Sequence, residues 1–132
     1  MSTPRMKGAP QLPLMTMPQC VAVFKEVGIP SGVLARISGF ARMQVFRWLT
    51  LRTTKPLPVT LEYVNELAYK MMRAERASRI PPASCHKLRP WADALNDDNF
   101  PVPFRQSSLD NLMSPHWADV IAKAQKDHDA TV

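Results

Sequence analysis

An all-α fold, a small helical bundle with an extended N-terminal arm and a proline-rich C-terminal extension, is what this sequence predicts, on three observations. From Ser31 to Thr50, SGVLARISGFARMQVFRWLT, small, glycine and apolar residues fall where two short helices need them to meet across a tight turn. On either side, apolar residues recur every three or four positions behind helix-starting residues. Near the C-terminus, Ser114 and Pro115 open a further segment in which Trp117, Val120, Ile121 and Ala124 form an apolar stripe. With 132 residues there is room for one small domain and extensions, not for two independent cores.

The elements follow in order. Residues 1–15 hold Pro4, Pro10 and Pro13, the basic Arg5 and Lys7, and no helical period, so they read as an extended basic arm. Thr16 begins a helix: its hydroxyl can accept from the amide of Gln19, whose side chain can reach back, and Pro18 costs no bond in a first turn whose amides are unpaired. Val21, Phe24 and Val27 line one face, and Gly28 ends it. Ile29 and Pro30 form a link. Ser31 is expected to cap the second helix, from which Leu34 and Ile37 join the core.

Ala35 sits where the second helix is crossed by the third, and a larger side chain would hold the two apart. Gly39 follows at the turn, where a residue tolerant of positive φ is wanted. On the third helix, expected at about 41–51, Val45 and Trp48 lie three apart and face inward. Arg42, Met43, Phe46, Arg47 and Thr50 then face out, and a helix divided in this way can lie in a DNA major groove. This is a helix-turn-helix signature.

Arg52, Thr53, Thr54 and Lys55 make a polar, basic loop that Pro56 and Pro58 keep from continuing the helix. Thr60 is expected to cap the next helix, with Leu61, Val64, Leu67, Ala68, Met71 and Met72 at helical spacing. Its second half reaches past what a four-helix core covers. Its methionines therefore either pack under the C-terminal extension or form a dimer contact. The organisation expected is an arm at 1–15, a helix-turn-helix domain at 16–78, and a proline-rich extension at 79–132 with a short helix near PWADALND and a C-terminal one at about 115–128.

The run LARISGF, then VFRWL, a basic loop, Pro56 and VTLEYVNELA resembles the lambda-repressor and Cro-like (XRE-type) family of helix-turn-helix DNA-binding domains. The likeness covers residues 16–76, about half of the chain. Two features depart from the family's pattern: the loop LRTTKPLP is longer than its usual connector, and its fourth and fifth helices read here as one. The resemblance implies a DNA-binding domain whose third helix enters the major groove.

Charge is unevenly placed. Residues 1–80 carry 12 Lys and Arg against 4 Asp and Glu, net +8, whereas residues 81–132 carry 5 against 7, net −2. The positive field belongs to the helix-turn-helix half, where a phosphate backbone needs it. No run is long and apolar enough to span a membrane, and MSTPRMKGAP lacks the apolar core of a signal peptide, so the expectation is a cytoplasmic protein. Cys20 and Cys85 have no partners at zinc-site spacing, and no disulfide is expected in a reducing compartment. Four glycines, none in a phosphate-binding loop, and adjoining Asp97 and Asp98 without a suitably spaced histidine give no catalytic constellation and no cofactor site.

The expected chemistry is hydrogen bonding and charge. Arg42 and Arg47 can each offer two parallel donors to guanine O6 and N7, while Met43 and Phe46 can pack on thymine methyl groups. Gln44 could pair with adenine or face the neighbouring helix. Ser31, Thr50, Arg52 and Lys55 are candidates for phosphate contacts, with Arg5 and Lys7 on the arm. The function expected is a sequence-specific double-stranded DNA-binding transcriptional regulator. A homodimer is expected, because one such module buries little, with a protein partner available to the C-terminal extension. The alternative is a structural or assembly protein, such as a viral packaging or virion component, using the same fold for protein or non-specific DNA contacts.

Overall fold

The computed structural model describes residues 14–52, 55–96 and 114–131, and among these it is all-helical. Six helices follow in order: α1 Met17–Val27, α2 Ser31–Ser38, α3 Arg42–Leu49, α4 Pro58–Arg76, α5 Leu88–Leu95 and α6 Pro115–Thr131. The arm residues 1–13, Arg5 and Lys7 among them, lie outside the described residues, as do Thr53, Thr54 and Asp97 with Asp98.

α1 starts as its sequence dictates. The amide of Gln19 donates to Thr16 Oγ1 over 3.4 Å, and the amide of Thr16 donates to Gln19 Oε1 over 2.9 Å, so both partners of the box are satisfied. Gly28 closes the helix with φ +80°, its amide donating to Phe24 O.

Two expected caps fall elsewhere. α2 takes Pro30 as its cap, with extended backbone and no side-chain bond, so Ser31 is the first helical residue and caps nothing. α4 begins at Pro58 after Leu57, two residues ahead of Thr60, because the fixed φ of proline suits a first helical position and its missing amide is no loss there. α3 spans less than the expected 41–51 and ends on a turn in which Leu51 adopts φ +58° and the amide of Arg52 donates to Arg47 O.

α1 is the hub, packing against α4 on one side and α6 on the other, with α3 at its end, while α5 bridges α2 and α4. One core runs through all of these elements. Its largest fully buried side chains include Trp48, Trp91 and Trp117, one each from α3, α5 and α6. The core therefore crosses the boundary expected between residues 78 and 79. Met71 and Met72, both 0% exposed, are buried in the core of the single chain.

The extension is tied down by polar contacts as well. Trp117 Nε1 donates to Glu75 Oε1 over 2.8 Å and Thr16 Oγ1 donates to Gln125 Oε1 over 2.6 Å, while within the extension itself Trp91 Nε1 donates to Cys85 O over 2.9 Å. His116 Nε2 stands 2.7 Å from Glu26 Oε2. On the other side of α1, buried Asn65 holds both polar groups of Met15: the Met15 amide donates to Oδ1 over 2.6 Å and Nδ2 donates to the Met15 carbonyl over 2.9 Å. Cys20 is a buried free thiol, as its place on the apolar face of α1 required; burial pushes its pKa up to about 12. No described helix is long and apolar enough to cross a membrane.

Candidate nucleic-acid interface

α2 and α3 are joined by a turn whose geometry comes from three residues. Gly39 takes φ +78° and its amide donates to Ala35 O over 2.9 Å. Ser38 Oγ donates to that same carbonyl over 3.1 Å and accepts from the amide of Phe40 over 3.2 Å. With a left-handed glycine at the corner, α3 turns back across α2, and the Ala35 side chain is small enough to be buried at the crossing.

The inner face of α3 is Val45 and Trp48, both 0% exposed. Phe40 packs edge-on against Trp48, with ring centroids 4.9 Å apart and planes at 68°, and its ring also meets Tyr63 of α4 at 5.9 Å. These contacts fix the rotation of α3 about its axis. Trp48 Nε1 is buried without a hydrogen-bond partner, the one polar cost of that packing on α3.

Because the inner face is fixed, the outer face is fixed too. Arg42, Met43, Gln44, Phe46 and Arg47 are all exposed, with Met43 at 61% and Phe46 at 49%. Gln44 is thus among the outward residues, not turned into a neighbouring helix. The Thr50 hydroxyl donates to Phe46 O over 2.8 Å, so it closes the end of α3 and offers an outside group only its acceptor lone pairs. Ser31 is exposed at the start of α2, where the amides of residues 31 to 33 have no helical partner. Arg52 and Lys55 are exposed on the turn after α3.

Charge along this part of the chain is one-sided. No acidic residue occurs between Glu26 and Glu62, a stretch that carries Arg36, Arg42, Arg47, Arg52 and Lys55. Among the described residues, none of these five cations is ion-paired, unlike Lys70 with Glu66 and Lys123 with Asp127.

Two residues important to the face were not singled out from the sequence. Gly32 leaves room for Arg42, whose Nη2 lies 3.7 Å from where a Cβ at Gly32 would be, so the guanidinium folds over the start of α2. Arg36, one turn further along α2, is exposed on the same side. The signal for both was present as a Gly and an Arg spaced by four on a helix already recognised. Among the described residues, no group of three or more His, Cys, Asp or Glu side chains is placed to hold a metal.

No family model, no curated protein and no solved structure matches this chain.

Proposed function

We propose that the chain is a sequence-specific double-stranded DNA-binding transcriptional regulator of Cro-like helix-turn-helix type, with α3 in the major groove. The observation that carries this reading is the division of α3: Val45 and Trp48 are sealed inside, while Arg42, Met43, Gln44, Phe46 and Arg47 stand exposed together on a helix reached through a left-handed glycine turn. Unpaired arginines beside apolar side chains are the groups that read guanine edges and thymine methyls. The unbroken positive stretch around them supports the backbone attraction that any duplex binder needs.

In this reading Arg42 and Arg47 make bidentate base contacts, and Met43 and Phe46 pack on methyl groups. The free amides at Ser31 and the Arg52 and Lys55 cations donate to phosphate oxygens as they stand, whereas Thr50 donates to one only after turning its hydroxyl away from Phe46 O. Two protomers would read half-sites about 10 base pairs apart, since a single module of this size buries too little to be specific.

Selection of bound sequences from a random duplex pool tests the reading. A defined, two-fold symmetric motif bound far above random DNA is the expected result, and absence of any enrichment overturns it. Arg47→Ala should then weaken the selected site by about 1–3 kcal/mol and relax one base position, whereas Lys55→Ala should weaken all duplexes alike.

A further inference from the structure

Away from the outer face of α3, an open, basic cleft of about 670 Å³ lies where α2 meets the start of α5. Arg36 of α2 lines it together with His86, Lys87, Leu88, Arg89, Ala92 and Asp93 at the start of α5. Asp93 is the single carboxylate among the lining residues, so the walls carry three cations against one anion. None of the three cations has an ion-pair partner among the described residues.

The cleft continues a line that begins on α3. The Arg42 guanidinium lies over Gly32 at the start of α2, and Arg36 follows Gly32 by four residues, hence one turn along the same side of the helix. Beyond Arg36 come Lys87, the residue that caps α5, and Arg89 in its first turn, and α5 packs against α2. Unpaired cations thus succeed one another from α3 across α2 to α5. A row of this kind in an open, shallow setting suits a ligand that is itself a row of negative charges, and the phosphodiester backbone carries one charge per residue along its length.

We propose that this cleft is a second binding site for DNA backbone phosphates, which carries the interface from α3 over α2 onto α5. The proposal rests on the DNA-binding reading of α3 and extends it: α5 becomes a positioning element that holds the backbone flanking the site without reading its bases.

The test uses the full chain and the variant Arg36→Gln/Lys87→Gln/Arg89→Gln, with affinity measured for the selected duplex and for a random duplex from 50 to 200 mM salt. Both duplexes are expected to bind the variant more weakly at low salt with base preference unchanged. The slope of log affinity against log salt should fall by about 2.7 for three lost phosphate contacts, so that the advantage of the parent shrinks about 40-fold across this range. The charge-keeping variant Arg36→Lys/Arg89→Lys should retain the parent's slope; a slope that falls equally there marks a disturbed fold and overturns the proposal. If the parent binds DNA and the neutral variant matches it at every salt, the cleft faces something else, such as an acidic protein, and the proposal falls while the reading of α3 stands. If the parent binds no duplex at any salt, both fall together.

Discussion

Gly28→Ala isolates how tightly the C-terminal half is joined to α1. A Cβ at this position meets Ala83 Cβ at 2.9 Å, and the backbone there has φ +80°. The two costs are separable. The left-handed conformation costs an L-residue about 1–2 kcal/mol whatever surrounds it. The methyl–methyl overlap adds a further amount, about 1–3 kcal/mol by analogy with overpacked sites, because neither partner is the end of a flexible side chain. Gly28→Ala should therefore destabilise the protein by about 2–5 kcal/mol, a large share of the roughly 5–15 kcal/mol that holds a domain folded. Denaturant unfolding of three variants reads the partition. Ala83→Gly alone should be mild, and in combination with Gly28→Ala it should recover the overlap but not the conformational cost, leaving about 1–2 kcal/mol. If Ala83→Gly recovers nothing, residue 83 does not lie against the end of α1 and the reasoning is refuted.

Three further outcomes follow from the same structure. Asn65→Leu leaves the amide and carbonyl of Met15 buried without partners, at about 1–3 kcal/mol each, so a loss of about 2–6 kcal/mol and faster hydrogen exchange at Met15 are expected; a loss below about 1 kcal/mol would contradict it. Cys20 is neutral in the folded protein up to about pH 12 but ionises at its ordinary value of 9.0 once unfolded, so its contribution leaves stability flat below pH 9 and lowers it by about 1.4 kcal/mol per unit above. Tyr69, which burial also pushes up to about 12, steepens the fall above pH 10; Cys20→Ala should remove the first part of it in denaturant titrations across pH 8–11. In the native protein at pH 8, a thiol reagent should modify half-buried Cys85 well before buried Cys20, a difference that peptide mapping after brief labelling reads directly.

Much of the helical framework was legible because it rests on local rules. The Thr16–Gln19 box, Gly28, the Gly39 corner and the inward pair Val45 and Trp48 each depend on residues within one or two turns. The caps misplaced at Ser31 and Thr60 show the resolution of such rules: Ser after Pro30 suits a cap or a first turn equally well, and only backbone angles separate the two. Asn65 was legible but unread, since Leu61, Asn65, Ala68 and Met72 follow one apolar stripe on which a lone amide signals a buried hydrogen-bonding task. What periodicity could not supply was the seat of the extension. That Trp117 finds Glu75, and that Arg36 lines one cleft with Lys87 and Arg89, are matters of long-range packing with no local trace.

The placement of α6 on α1 also bears on the order of events during synthesis. Thr16 waits for Gln125, 109 residues later, and Glu26 waits for His116, 90 residues later. At about 5–20 residues per second, α4 leaves the ribosome roughly 2–8 s before Trp117 does, and through that interval one side of α1 has no cover. Contacts this distant close slowly, since the chain entropy of the intervening loop is lost before they form. A nascent chain can thus shape the α2–α3 corner early and still leave α1 partly uncovered until α6 arrives, and its folding rate should respond more to Trp117 than to any residue of the corner.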